Sequence, residues 1–196
     1  MQMTHSDPNA RRRLVRAAAD MLRRHGLNAT SIRELAKHAQ TPLGSTYHYF
    51  PGGKQQMVTE AVLFAGETVG HALSKELEVG PVKGVRAFLA LWREVVVSTG
   101  FKAGCPVLAV STEEPLAEEG GDALAAAAKV FEAWESLLAD SLLQHGADRQ
   151  QAAQLATLIV ATAEGSIAMC RAKRSVQPLD SIADQLEALV GAAISN

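Results

Sequence analysis

The chain has 196 residues, 47% hydrophobic and 5% aromatic, with a formal net charge of −2. That suffices for one large domain, or a small one joined to a medium one, around a buried core. No run approaches the roughly 18 apolar residues of a membrane span. No apolar segment with a cleavage site follows Arg11, Arg12 and Arg13, and Cys105 and Cys170 fit no CxxC or zinc spacing. A cytoplasmic protein in reducing surroundings is expected. The small net charge hides an asymmetry: residues 1–60 hold nine Lys/Arg against four acids, and the remainder ten against seventeen. A basic head on an acidic body fits a polyanion bound at one end.

Taken in order, Asp7-Pro8 should open a first helix, Asp as cap and Pro at the first position, with Leu14, Ala18, Met21 and Leu22 on one face. His25-Gly26 ends it. Ser31-Ile32-Arg33-Glu34 is a capping box for a second helix with an apolar stripe of Ile32, Leu35, Ala36 and Ala39. Gln40-Thr41 forms a turn, and Thr41 is expected to cap a third helix from Pro42 to about Tyr49. Pro51-Gly52-Gly53 breaks the chain before a fourth helix over 54–77. The second and third helices are too short to stand alone. Residues 78–84 read as a linker, and further helices are predicted at 82–99, 106–113, 121–145, 148–173 and 179–194. No segment alternates as a strand, so the fold class is all-α: an N-terminal three-helix helix-turn-helix domain over residues 1–53 joined to a larger helical domain over 54–196.

The third helix has the makings of a recognition helix in a DNA groove. Leu43, Gly44 and Ser45 stand at its N-terminus, where Gly44 permits close approach, Ser45 and Thr46 can bond base edges and Leu43 can touch a thymine methyl. Tyr47 and His48 are candidates for phosphate, as are Thr30, Ser31, Arg33, Thr41 and Lys54 around them. Tyr49 and Phe50 are assigned to the small core. The plain alternative is a helical hairpin with aromatic core residues.

The run ATSIRELAKHA at 29–39, GSTYHYF at 44–50 and Lys54 resemble the DNA-binding domain of the TetR family of bacterial regulators. FPGGKQQM at 50–57, GCPVLAVSTE at 104–113 and AEG at 163–165 are similar to its LmrA/YxaF branch. Gln40 departs from the Gly usual in the turn, and Leu43 from a frequent Lys or Arg. The resemblance implies a transcriptional regulator, mostly of the repressor kind, without cofactor, acting as a homodimer on a palindromic double-stranded operator. The last two helices would pair, with Ala152, Leu155, Ala156, Ile159, Val160 and Ala163 on one and Leu186, Leu189 and Val190 on the other; the alternative is that these stripes fill the monomer's core. It also implies a chamber for a small-molecule inducer, with candidate lining residues Phe88, Trp92, Val96, Cys105, Leu108, Phe131, Trp134 and Ile159, and Glu164 as a buried acid. Inducer binding would then move the fourth helix through the 100–113 segment and change the separation of the heads. Cys105 could be a redox trigger or a small packed residue; only Lys102 is a cation near it in sequence.

Three other classes compete. An enzyme lacks support, with no GxSxG, Walker, HExxH or PCxxC pattern. A DNA-organising protein would use the same head without a ligand. A co-regulator could bind protein through the acidic stretch 113–122, which otherwise reads as a solvated loop.

Overall fold

The computed structural model describes residues 8–114 and 121–195. Nine α-helices run through the described residues: α1 (Pro8–His25), α2 (Ile32–His38), α3 (Leu43–Tyr49), α4 (Gly53–Leu77), α5 (Pro81–Ser98), α6 (Pro106–Thr112), α7 (Gly121–Gln144), α8 (Arg149–Lys173) and α9 (Gln177–Ile194). The fold is all-α. The expected cap Asp7 lies outside the described residues, as does most of the acidic stretch after Glu114.

The chain divides into two compact units. One comprises residues 1–66 and 106–128, the other 67–105 and 129–196. The division differs from a cut at residue 53, because α6 and the start of α7 join the N-terminal helices. In the first unit, α1 contributes Leu14, Ala18, Met21 and Leu22 to the buried interior, α2 contributes Ile32, Leu35 and Ala36, and Phe50, Met57, Val58, Ala61 and Val62 follow. Phe50 is fully buried, as expected, while Tyr49 is half-buried.

α2 ends in a double-bonded C-terminal motif: the Thr41 amide donates to Ala36 O at 2.9 Å and the Gln40 amide to Lys37 O at 3.3 Å. This geometry requires a left-handed residue, and Gln40 supplies it with φ of 51°. A residue with a Cβ pays about 1 kcal/mol for that conformation. The turn therefore keeps its form without glycine. Thr41 does not cap α3: the N-cap is Pro42 with no side-chain bond, and the Thr41 hydroxyl donates to Ala39 O at 3.2 Å. The turn's own bonding has taken the residue that pattern alone assigns to the cap.

In the second unit, α5, α8 and α9 pack against one another. The linker is shorter than expected, because Pro81 opens α5 at its first turn. Gly84 lies inside α5, where a Cβ would stand 2.8 Å from Glu76 O and 2.9 Å from Leu77 Cα, so glycine lets two backbones touch. Asp148 caps α8 by accepting from the Gln150 and Gln151 amides. α8 is long and apolar enough by length and composition to cross a membrane, yet half of that apolar window is buried inside the protein. Ala152, Leu155, Ala156, Ile159, Val160 and Ala163 are all buried within the chain, as are Leu186 and Val190 of α9. These stripes are core; of the residues expected to face a second copy, only Leu189 is exposed, at 45%.

Candidate functional site

α3 is seven residues long and turns one face inward through Thr46, whose hydroxyl donates to Pro42 O at 3.2 Å. Thr46 is therefore spent on its own helix and reads no base. Leu43, Gly44, Ser45, Tyr47 and His48 are exposed together on the remaining surface, Tyr47 at 53%. A Cβ built on Gly44 would meet nothing within 4 Å, so the chain's own packing does not demand glycine there. His48 and Tyr49 stack edge to face at 5.8 Å.

The flanking candidates divide. Arg33 is exposed on α2. Ser31 caps α2, its hydroxyl accepting from the Glu34 amide at 3.2 Å. Thr30 needs correction: its side chain is fully buried, its hydroxyl donates to Gly26 O at 2.7 Å and its amide to Leu27 O. It holds the α1–α2 turn and has no surface for a phosphate. Lys54 is half-buried; burial lowers its pKa below the ordinary lysine value, while the Glu113 carboxylate favours its charged form. Arg11, from the basic N-terminal run, is engaged with Glu60 and lies 5.8 Å over the Phe50 ring.

Two carboxylates that pattern did not single out position this head. Asp20 on α1 accepts from Arg23 at 2.7 Å and Arg24 at 3.0 Å, and lies 3.4 Å from His38 at the end of α2. Burial pushes its pKa up, but the hydrogen bonds and charges of the two arginines outweigh it and hold the carboxyl below its usual value. Glu113, just after α6, accepts from the Leu27 and Asn28 amides at 3.0 Å each. Its place in an acidic run pointed to a solvated loop; the geometry corrects this. No local periodicity links residues so far apart in sequence.

In the second unit, Phe88 and Trp92 meet edge to face at 6.4 Å and line a cavity of about 330 Å³ with Val69, Ala72 and Leu91 among its walls. Thr68, Ser98 and Glu94 are the polar groups of its lining. The other chamber candidates are placed differently. Val96, Cys105, Trp134, Ile159 and Glu164 are buried and absent from this lining, and Phe131 packs edge to face on Trp134 at 5.7 Å. Leu108 belongs to the other compact unit. Burial pushes the Glu164 carboxyl up to about 7, opposed by a hydrogen bond with Cys105, and its Oε2 has no hydrogen-bond partner. Cys105 is buried and outside any disulfide, which fits a packed residue better than an exposed redox trigger. Among the described residues no group of three or more His, Cys, Asp or Glu is placed to hold a metal ion.

An open seven-residue helix, set after a tight turn and packed on α2, which in turn packs on α1, defines a helix-turn-helix regulator. Residues 14–61 match the description of the bacterial regulatory proteins of the TetR family, and residues 81–185 the C-terminal domain of LmrA/YxaF-like transcriptional regulators. The chain belongs to the TetR family of DNA-binding transcriptional regulators, in its LmrA/YxaF-like branch; it is not an enzyme. It is 40% identical over 183 residues to an uncharacterized HTH-type transcriptional regulator of Mycobacterium tuberculosis, covering 92% of this chain and 93% of the relative. It is 29% identical over 184 residues to the HTH-type transcriptional regulator LmrA of Bacillus subtilis, covering 90% and 93%. Regulatory protein TetR from Rhodobacter sphaeroides shares the fold with a TM-score of 0.81 at 23% identity, covering 92% of this chain and 98% of that one.

Proposed function

We propose that this regulator is a cytoplasmic homodimeric repressor that reads a palindromic operator through α3 and is released by a small apolar inducer. The observation that carries the reading is the exposed face of α3, where Gly44, Ser45, Tyr47 and His48 offer short polar and aromatic groups that the chain's own core does not use. Arg33 and Lys54 would hold phosphate beside it, with Ser31 and Thr41 closer to the backbone.

Pairing is supported by a second face. α8 exposes Leu158, Ala161, Gly165, Ala168, Met169 and Ala172 at helical spacing, and α9 exposes Ala188, Leu189 and Ala192. A Cβ on Gly165 would meet nothing within 4 Å, so small residues here leave room for another chain. A two-fold protein matches a two-fold operator. The inducer's place is proposed at the cavity beside Phe88 and Trp92, whose 330 Å³ lies at the small end of ligand pockets. To release DNA, the inducer must bind the non-binding state better than the binding one.

The test is selection of bound sequences from a random duplex pool at near-physiological salt, with wild type beside Tyr47→Ala/His48→Ala. The expected result is an enriched inverted repeat that the double variant fails to enrich. Salt-sensitive binding without a motif would favour a DNA-organising role instead.

A further inference from the structure

The α1–α2 turn is held by a carboxylate that comes from far along the chain. Glu113 uses both oxygens: Oε1 accepts from the Leu27 amide and Oε2 from the Asn28 amide, each at 3.0 Å. Charged acceptors on backbone amides are among the stronger hydrogen bonds. The Asn28 side chain reinforces the contact by donating to Glu114 O at 3.2 Å. Gly26 completes the cradle. Its φ is 82°, and a Cβ on it would stand 1.9 Å from Glu113 Oε1. The missing side chain is thus the space that the carboxylate fills. Glu113 also favours the charged form of Lys54. One side chain therefore touches the turn that starts α2 and supports a cation beside α3, all within one compact unit.

We propose that Glu113 is a positioning residue of the DNA-reading head: by clamping the Leu27 and Asn28 amides it fixes α2, and with it α3, in the pose that an operator half-site requires. It touches no base itself. The inference rests on the proposed operator reading for its affinity readout, and on amide protection for a readout independent of DNA.

The experiment compares wild type with Glu113→Ala and Gly26→Ala as full-length chains. Three quantities are measured: hydrogen exchange at Leu27 and Asn28, melting temperature, and affinity for the selected duplex against a scrambled one. Glu113→Ala should expose both amides to exchange and weaken binding to the selected duplex about tenfold, the loss expected for a charge-assisted hydrogen bond. Affinity for the scrambled duplex, carried by phosphate contacts, should change far less. Gly26→Ala should do the same by displacing the carboxylate, with an added loss of melting temperature from its left-handed φ of 82° that persists in the double variant, while the two losses of selected-duplex affinity should fall short of additive. Should Glu113→Ala not fold, Glu113→Gln, which keeps the shape and one acceptor, replaces it. A lowered melting temperature with unchanged selected-duplex affinity, or amides still protected, would overturn the proposal. Failure of wild type to enrich any motif would instead sink the operator reading, while the amide exchange would still decide the clamp.

Discussion

α3 and α8 each leave one face open to water, and the two faces are made of opposite materials. α3 shows Gly44, Ser45, Tyr47 and His48, short or amphipathic groups with hydrogen-bonding tips. α8 shows Leu158, Ala161, Gly165, Ala168 and Met169, which offer almost no hydrogen bonds at all. A polar face on a seven-residue helix suits a groove lined with donors and acceptors. An apolar, small-residue face on a 25-residue helix suits another protein surface, where water is excluded and close approach matters. Exposure alone does not separate the two; the chemistry of what is exposed does.

The largest expected effect sharpens this contrast from the inner side of α8. Glu164 is buried with Oε2 unpartnered, and its carboxyl is pushed up to about 7 from an ordinary 4.5. The folded state thus favours the neutral form, so the burial of Glu164 costs nothing at low pH and destabilises the fold increasingly as pH rises from 4.5 through 7. Glu164→Gln should raise stability at pH 8 by roughly 3 kcal/mol, with little gain at pH 4.5. Urea melts at the two pH values check this, and an equal gain at both would contradict it. Next, Leu158→Glu with Leu189→Glu places charge on the open apolar face. The pair should yield a monomer by sedimentation with unchanged helix content, and lower operator affinity by about 100-fold, as expected when two linked heads are separated. A dimer that survives both charges would break the comparison.

On α3, Gly44→Ala separates folding from reading. The added methyl has free space and helix propensity favours it, so stability should rise by up to about 1 kcal/mol. Operator affinity should fall about tenfold if the backbone approaches the duplex here, a loss of about 1.4 kcal/mol. A variant that binds as tightly as wild type would remove Gly44 from the site. The smallest effect belongs to the turn: Gln40→Gly should relieve the left-handed strain and stabilise by about 0.5–1 kcal/mol in a thermal melt. A loss of stability would show that the Gln40 side chain supports the turn.

The head was largely legible because its signals are local. Ser31 caps α2 as its spacing suggests, and α2, α3 and α4 begin within a residue or two of where caps and glycines place them. Phe50 and the α2 stripe follow helical periodicity into the core. Long-range contacts escaped. Nothing near Glu113 announces that it bonds the Leu27 and Asn28 amides, or that Thr30 would be buried by the turn it closes. In the second unit, periodicity found apolar stripes but could not tell an inward stripe from an outward one. Ala152, Leu155 and Ile159 proved to be core, while the opposite face, less hydrophobic on average, stayed open. The chamber candidates divide for the same reason: Phe88 and Trp92 line the cavity and Trp134 does not, yet a buried Trp134 and a cavity-lining Trp92 look alike in sequence, and only packing separates them.

The most direct test of the central claim, that α3 reads DNA as one of two paired heads, is a hydroxyl-radical footprint on the selected duplex with protomer stoichiometry from sedimentation. The account predicts two protomers per site and two symmetric protected faces about 34–36 Å apart, one turn of the duplex. A single protomer on a single protected face, or uniform protection without symmetry, would contradict it.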